Sequence, residues 1–569
     1  MPPRRLPAAA PGDRPPASAT FRFDGMSYEG HEGEPLAVSL LAAGRRTLSR
    51  SFRFHRPRGL MCSTGQCGWC ECEVDGRPSV RTCRIPLRDG MVVRGEHAWP
   101  SVEHDLLAVL DLGSRFVPPT FYHHRFLRPR FLRKAYLDVL RSLGGRGRLA
   151  SGPRSDRPVR TVHRDDPDVL VVGGGRSGLG AAMAAARAGA RVVVLEAEAD
   201  LDREGAARRP ALSGLLAAVR QLGVEVRLGT TAIGWYGGTV TAIGHDALLS
   251  LSPKAVVAAT GTYELIPNVP GSDRPGVMSA RLVSTLVTRH RVLPGERALL
   301  VGEGEEVESA AAVLRASGAA VVGPIATSAL LGIAGRGRVA SVRIRAGGVG
   351  PGARREAVDL VAFGDRTPNL DLVLAAGAEV GWRAGRLAPL LDGDGRTTVA
   401  GLFVAGAAAG ATDGLDARGA DPDRVGRAAS RAARATAAWA AVSASDPPAQ
   451  RGDPPRSRRH GHPPAPPAGH AILCFCEDVR AWEVAAERGA GYRHPELLKR
   501  RTGALTGPCQ GKYCLSAVTC AMSGHPDRVV ADASDLGATE WGGDNADVPT
   551  ARPPLRPVRL GDLAAEDPP

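Results

Sequence analysis

The segment at 166–200, "DPDVLVVGGGRSGLGAAMAAARAGARVVVLEAEAD", decides the fold of the middle of this chain. Its consecutive apolar residues, Val169 to Val172, read as a strand buried on both faces. Gly173, Gly175 and Gly178 follow in the pattern G-x-G-x-x-G at the head of an alanine-rich helix. That spacing permits a tight turn, lets a pyrophosphate approach the backbone, and brings helix close to strand. The phosphates would rest on the helix N-terminus, where backbone N–H groups point outward. A second apolar strand ends at Glu196, about twenty residues on, suited to accept from a ribose hydroxyl. Strand, glycine turn, helix and acid together predict a dinucleotide-binding unit.

The pattern recurs downstream. At 253–264, "PKAVVAATGTYE" places a strand before Thr260 and Gly261. At 296–323, "ERALLVGEGEEVESAAAVLRASGAAVVG" reads as a second nucleotide fold, but the third glycine position holds Val307. Glu303, Glu305 and Glu306 crowd this turn, and carboxylates there would repel a pyrophosphate. A retained scaffold without its NAD site is the expectation. At 401–414, "GLFVAGAAAGATDG" returns a strand to a small-residue turn at Gly406, expected against the first cofactor site.

The chain has 10 cysteines among 569 residues, and none lies between Cys83 and Cys474. Disulfide-stapled proteins are short and cysteine-dense, so clustered cysteines in a long chain point to metal or redox work. No redox dithiol accompanies the dinucleotide units, so a disulfide reductase is excluded unless one of the terminal cysteine sets supplies it, which their spacing disfavours. Cys62, Cys67, Cys70 and Cys83 are spaced C-x4-C-x2-C-x12-C, the plant-type 2Fe-2S ligand pattern. Thiolates are soft anionic donors suited to iron. Gly65 and Gly68 let the backbone wrap the site and aim amide N–H groups at sulfur. Zinc knuckles bring two C-x2-C pairs, and here there is one. Cys72, two residues past a ligand, reads as a small core residue. Upstream, residues 20–30 alternate around a turn at Asp24-Gly25 and precede a short helical pattern at 36–43, a hairpin followed by a helix.

A proline-rich, charged stretch at 443–470 reads as a semi-extended tether, with His460, His462 and His470 as solvated linker residues. Beyond it, Cys474, Cys476, Cys509 and Cys514 are spaced C-x-C-x32-C-x4-C, with helical patterns between the pairs. Spacing alone admits zinc as well as iron here. Cys520 reads as a core residue of the last helix.

The net charge of +14 would suit a nucleic-acid partner, but no basic stretch is interleaved with aromatics, and the 4% aromatic content argues against a stacking platform. The basic excess reads as solvated surface, with a docking face for an acidic partner as the alternative. The N-terminal tail lacks a continuous apolar run of signal-peptide type, and no segment reads as a membrane span, so a cytoplasmic location is expected.

The stretches "SFRFHRPRGL", "VEHDLLAVLDLGSRFVPPTFY", "VLVVGGGRSGLGAA", "TTAIGWYGGTV", "ATGTYELIPNVPGSDRPGVMSA" and "LCFCEDV…GPCQGKYC", with the first cysteine set, carry a family resemblance. The chain resembles the α-subunit family of heteromeric sarcosine oxidases, opine oxidases, hydroxyproline dehydrogenases and hydrogen cyanide synthases. Its C-terminal module is similar to bacterioferritin-associated ferredoxin, which implies a second 2Fe-2S cluster at Cys474, Cys476, Cys509 and Cys514. The implied fold class is multidomain α/β: a ferredoxin-like β-grasp domain, a Rossmann-type flavoprotein core with two dinucleotide-binding domains, and a small helical C-terminal cluster module. The expected boundaries are a disordered tail at 1–19, the plant-type ferredoxin domain at 20–100, a helical connector at 101–165, and the FAD/NAD(P)-binding core at 166–442. The linker at 443–470, the cluster module at 471–525 and a second disordered tail at 526–569 complete the chain.

Two departures separate this chain from the family pattern. It stops short of the folate-binding aminomethyltransferase-like domain of full-length sarcosine oxidase α subunits, so the shorter relatives fit better. Where flavoprotein patterns place an acid after the glycine at Gly406, it has Ala407. The expected cofactors are two 2Fe-2S clusters and FAD, with NAD as the alternative, held by Gly173, Gly175, Gly178, Glu196, Thr260, Gly261 and Gly406. No acid/base or nucleophile constellation is recognisable. The expected function is therefore the electron-transfer subunit of a flavin-dependent oxidoreductase acting on CH-NH or CH-NH2 donors of the sarcosine, hydroxyproline, opine or glycine class. A flavoprotein β-type subunit is the expected partner. The alternative is a self-contained NAD(P)H-dependent ferredoxin-type reductase.

Overall fold

In the computed structural model of the chain, the alternation at 19–30 folds as a hairpin of strands Ala19–Phe23 and Met26–Gly30. Asp24 and Gly25 both adopt positive φ, 48° and 85°, as a two-residue turn matched to strand twist requires. The structure describes residues 4–7, 19–62, 64–112, 119, 130–144, 160–201, 210–245, 247–345, 352–383, 386–410, 421–435, 470–522, 546–558, 563 and 565–566. The tether at 443–469 with His460 and His462 lies outside the described residues, as do residues 8–18, 526–545 and parts of the 101–165 connector.

The chain divides into two compact units. The first comprises 1–155, 264–365 and 466–524; the second comprises 156–263, 366–465 and 525–569. The 166–442 core expected from the sequence is thus divided. Its middle third, the second nucleotide fold, groups with both cysteine-bearing segments.

In the first unit, the hairpin belongs to a five-stranded sheet ordered Met26–Gly30, Ala19–Phe23, Met91–Gly95, Glu71–Val74, Arg77–Arg81. Ala19, Phe21 and Phe23 point inward in the two-residue period of a strand. The helix Leu36–Ala42 presents buried Leu36, Leu40 and Leu41 to the same core. The 264–365 segment forms a parallel sheet ordered Val277–Ser279, Leu360–Phe363, Arg297–Val301, Ala320–Ile325. Helix Glu305–Ala316 makes the crossover between Arg297–Val301 and Ala320–Ile325. The C-terminal segment pairs the short strands Ile472–Cys474 and Val479–Arg480, followed by helices Ala481–Gly489, Pro495–Thr502 and Leu515–Met522.

The N-terminus departs from the expected disordered tail. Arg4 and Arg5 pair antiparallel with Leu293 and Val292, and Leu6 is buried. Arg5 forks onto Glu34, Nη1 to Oε1 at 3.1 Å and Nη2 to Oε2 at 2.6 Å, and the Ser39 hydroxyl donates to Glu34 Oε2 at 2.6 Å. Burial pushes the Glu34 carboxyl up, but hydrogen bonds from His290, Arg5 and Ser39 outweigh it and hold the group at about 2. A carboxyl whose folded value lies below its ordinary 4.5 stabilises the fold above that ordinary value, and loses the contribution as pH falls through the folded one. Glu34→Gln is therefore expected to lower stability near neutral pH and to leave a smaller acid-induced loss below pH 4.5. Urea unfolding at several pH values measures this, and parallel stability curves would contradict it.

The second unit holds a parallel sheet ordered Glu225–Arg227, Val192–Leu195, Val169–Val172, Ala255–Ala258, Leu402–Val404. All four residues of Val169–Val172 are buried, as the continuous apolar run predicts. A further sheet runs Thr231–Tyr236, Thr239–Ile243, Ala247–Leu251, Arg160–Asp165, and ends on Ala565–Glu566. Leu555 is buried in the same unit. The described part of 526–569 is therefore structured, where a disordered tail was expected. Proline-rich composition concealed two short pairings made with distant strands. Among the described residues, no helix is long and apolar enough to cross a membrane.

Candidate functional site

The glycine turn of the second unit lies at the carboxyl end of Val169–Val172, the strand from which the sheet extends both ways. That is the position where open parallel sheets receive ligands. Gly173 has φ +114°, and an added Cβ there would lie 2.3 Å from the Ala259 carbonyl oxygen. A Cβ at Gly178 would lie 1.8 Å from the Gly173 oxygen. These two glycines serve the turn itself. Gly175 differs: it caps helix Arg176–Arg187 with φ −70° and ψ 179°, and a Cβ there would meet no protein atom within 4 Å. Its hydrogen thus borders the open side of the turn.

Glu196 sits where the sequence predicts, at the mouth of this turn. Its Oε2 accepts from the Gly174 N–H at 2.6 Å and its Oε1 from the Glu198 N–H at 2.8 Å. Thr260 and Gly261 follow the neighbouring strand; the Thr260 hydroxyl donates to the Asn369 oxygen at 3.0 Å, and Gly261 has φ +71°. Gly406, φ +68°, lies where a Cβ would reach 2.2 Å from the Ser177 hydroxyl oxygen. The small-residue turn after Leu402–Val404 is therefore packed on the first turn of the glycine-headed helix.

In the first unit, the Glu303-Gly304-Glu305-Glu306 turn caps helix Glu305–Ala316 with Glu305, Glu306 and Glu308 in its first turn. The helix N-terminus thus carries the chain's own negative charge, although no side chain caps it by a hydrogen bond. A Cβ at Gly364 would lie 2.1 Å from Val307 Cγ2, so valine fills the space against the adjoining strand.

The cysteines of the first set are free and buried. Cys62 Sγ and Cys67 Sγ lie 3.3 Å apart, and Cys70 hydrogen-bonds Cys83, which lies in a turn beyond strand Arg77–Arg81. Gly65 and Gly68 have φ of 73° and 74°, and the Trp69 N–H points at Cys67 Sγ at 3.5 Å. The loop wraps its sulfurs as the glycines predict. Cys72 is buried with its thiol toward the Leu48 oxygen at 3.3 Å, a core residue.

In the second set Cys476 neighbours Cys509, and Cys514 neighbours both Cys474 and Cys509. All four are buried. Burial and then the neighbouring Cys62 push the Cys67 thiol up, while at Cys83, Cys476 and Cys514 the neighbouring sulfur does so first and burial second. So many sulfurs in so dry a place resist ionising together. Among the described residues, no three His, Cys, Asp or Glu side chains are arranged to hold one metal ion; the first set approaches in pairs, Cys62 with Cys67 and Cys70 with Cys83, and the second as a run from Cys474 through Cys514 and Cys509 to Cys476. Cys520 is a buried residue of the last helix, its thiol pushed up to about 12 by burial.

The sequence reading placed the two sets on separate modules across a linker. The fold packs them together. Met61, Cys62, Cys67 and Trp69 share one apolar core with Cys474, Phe475, Cys476, Cys509, Tyr513 and Cys514. Cys476 Sγ lies 4.0 Å from the Cys67 oxygen, and the Trp69 and Phe475 ring centroids are 5.4 Å apart. The Tyr513 hydroxyl donates to the buried Glu264 at 3.4 Å, whose carboxyl burial pushes up to about 7 despite nearby Arg281. Glu264 and Tyr513 escaped the sequence reading because nothing in their spacing ties them to each other or to cysteines hundreds of residues away.

Comparison with known proteins agrees with these parts. Residues 17–98 match the 2Fe-2S iron-sulfur cluster binding domain family, 168–221 the FAD binding domain family, and 468–567 the sarcosine oxidase A3 domain family. The alpha chain of sarcosine oxidase from Rhizobium meliloti (strain 1021) is 30% identical over 96% of this chain and 57% of its own length. The chain thus spans little more than half of that relative. An opine oxidase subunit of Agrobacterium tumefaciens (strain Ach5) is 27% identical over 71% of this chain and 93% of its own. The crystal structure of L-proline dehydrogenase from P. horikoshii shares the fold, with TM-score 0.63 and 21% identity over 96% of this chain and 97% of that one. With a 2Fe-2S domain, an FAD-binding domain and an A3 domain in that order, the chain is a relative of the sarcosine oxidase α subunits and of these opine oxidase subunits.

Proposed function

We propose that this chain is the electron-carrying subunit of a flavin-dependent amine or amino-acid dehydrogenase or oxidase, of the sarcosine, hydroxyproline, opine or glycine class. The observation that carries the reading is one apolar core that gathers Cys62 and Cys67 of the first set with all four cysteines of the second; Cys70 and Cys83 lie in another core of the same unit. Such an arrangement serves a carrier of electrons better than a pocket for an amine.

In this reading the 20–100 segment is a β-grasp ferredoxin domain and the C-terminal segment a helical cluster module. Cys62, Cys67, Cys70 and Cys83 hold one 2Fe-2S cluster; Cys474, Cys476, Cys509 and Cys514 hold the second. A two-iron cluster takes its thiolates two to each iron, which fits the Cys62–Cys67 and Cys70–Cys83 pairs of the first set; for the second set the reading rests on the resemblance to bacterioferritin-associated ferredoxin. FAD occupies the first dinucleotide site. The open face at Gly175 admits the pyrophosphate, the N-terminus of Arg176–Arg187 faces it, Glu196 accepts from the ribose, and Thr260, Gly261 and Gly406 line the remaining wall. The turn at Glu303–Glu306 holds no nucleotide, because carboxylates crowding it repel a pyrophosphate. When bound, FAD supplies two-electron and the irons one-electron chemistry. The protein's own contribution is to hold these groups, keep water from the sulfurs by burial, and aim N–H groups such as that of Trp69 at them.

A separate flavoprotein subunit, in this proposal, binds the amine and breaks its C–H bond. The test is an assay of the isolated, cofactor-replete chain with sarcosine, proline, hydroxyproline and an opine, using an artificial acceptor. No turnover alone, followed by turnover on co-expression with a flavoprotein partner, is expected. Rapid turnover by the isolated chain would make it a complete enzyme instead.

A further inference from the structure

Two arginines each touch the loops of both cysteine sets. Arg58 donates through Nη2 to the Phe475 oxygen at 3.1 Å, between Cys474 and Cys476, and to Asp478 Oδ1 at 2.6 Å. The same guanidinium lies 5.3 Å above the Trp69 ring, next to Cys70. Arg81 donates through Nη1 to the Gly65 oxygen, between Cys62 and Cys67. Its Nη2 donates to the Pro508 oxygen at 3.0 Å, immediately before Cys509. One arginine therefore spans the first set and the Cys474–Cys476 loop, and the other spans the first set and the Cys509 loop.

We propose that Arg58 and Arg81 are positioning residues that fix the two metal centres at the distance for direct electron exchange and place positive charge at the seam between them. The proposal rests on the two-cluster reading given above and goes beyond it by assigning residues to the spacing. Four thiolates make each centre net anionic, and two such centres side by side in a dry core repel one another. Adding an electron to either increases that repulsion. Each guanidinium is itself paired with carboxylates, Arg81 with Glu71 at 3.3 Å and Arg58 with Asp273 and Asp478 at 2.6 Å, so removing it leaves the seam more negative, and net charge with hydrogen bonding near the sulfurs sets the potential of such centres. The planar fork matters as much as the charge, because it reaches two carbonyl oxygens on different loops, which an ammonium group cannot do in the same geometry. The exchange itself moves one electron from one centre to the other, with no bond made or broken and no proton transferred.

The rest of the seam suits this assignment. Arg53 pairs with Glu483 at 2.5 Å, both side chains 3% exposed, and Phe54 N–H donates to Asp478 Oδ2 at 3.2 Å. Arg53 also donates to the Asp478 oxygen at 3.1 Å, but none of these contacts reaches a residue lying between two cysteines of a set, so the Arg53–Glu483 pair serves as the control for a docking role alone.

The experiment uses the full chain as purified. Iron and acid-labile sulfide are counted, both centres are titrated potentiometrically, and the fully reduced protein is examined by electron paramagnetic resonance. Wild type is expected to hold about four irons per chain, with splitting or broadening from interaction between the two reduced centres. Arg81→Met is expected to lower the potential of both centres and to weaken the interaction at unchanged iron content. Arg81→Lys should recover most of the potential but not the interaction. Should Arg81→Met fail to retain iron, the comparison falls to Arg58→Lys, which keeps the charge and is expected to weaken the interaction with potentials nearly unchanged. The paired replacement Arg53→Met with Glu483→Met, which removes an ion pair without orphaning a charge, should change neither readout. Four irons with no magnetic interaction in wild type, or with potentials and interaction unaltered in the arginine variants, would overturn the assignment. Two irons per chain, or zinc in the second set, would overturn the two-cluster reading itself and the assignment with it.

Discussion

Gly175→Val is expected to empty the first dinucleotide site while the protein folds and both cysteine sets keep their iron. The backbone at Gly175 is extended, φ −70° and ψ 179°, a conformation open to any residue. An added Cβ meets no protein atom within 4 Å, so the cost to the fold is small. The valine methyls would instead enter the space in which the pyrophosphate approaches the turn. Overpacking of that kind costs about 1–3 kcal/mol, or about 5- to 150-fold in affinity. Gly178→Val should behave differently: its Cβ would lie 1.8 Å from the Gly173 oxygen, so the turn itself must break and the chain should fail to fold. Flavin released by acid, together with iron content and circular dichroism, separates the two. Wild-type flavin content in a folded Gly175→Val protein would remove FAD from this site.

Arg58→Met is expected to produce the largest loss of stability among single changes in the first unit. Arg58 pairs with Asp273 at 2.6 Å and with Asp478 at 2.6 Å, and the three side chains are 3%, 2% and 0% exposed. Removing one member of a buried ion network leaves carboxylates dry without their partner, which costs about 3–5 kcal/mol. Asp273 retains Arg56 at 2.6 Å, but Asp478 is left with the Phe54 N–H. Burial pushes the Asp273 carboxyl up, yet Arg56 and Arg58 outweigh it and hold the group well below the usual carboxylate range. Its stabilisation is therefore present at neutral pH and lost as pH falls below that range. The gap between wild type and Arg58→Met should be widest near neutrality and narrow in acid, as Asp273 loses its charge and with it the pairing to Arg58. Urea unfolding, followed by the loss of cluster absorbance, measures it. A gap below about 1 kcal/mol, the scale of an exposed pair, would show that the network contributes little.

The local signals were legible because each is set by neighbours in the chain. A buried strand needs an apolar run, and Val169–Val172 supplies it. A tight hairpin needs positive φ at two positions, and Asp24-Gly25 accepts it. The glycine turn, the acid at its mouth, the loop of the first cysteine set and the two core cysteines, Cys72 and Cys520, could be read for the same reason. Their partners are close in sequence, or their residue type admits few conformations.

What sequence could not determine depends on contacts between remote segments. Tails 1–19 and 526–569 read as polar and proline-rich, yet Arg4–Arg5 and Ala565–Glu566 join strands far along the chain. Two-residue pairings carry no periodicity to detect. The division of the 166–442 segment between two units follows from which apolar faces meet, and a face does not announce its partner. So it is with the cysteines. Spacing within each set pointed to a metal site, but only the tertiary fold brings Cys476 to 4.0 Å from the Cys67 oxygen. The residues that join the sets, Arg58 and Arg81, are two among 73 Lys and Arg; burial between two loops, a property of the folded chain alone, distinguishes them from arginines on a solvated surface.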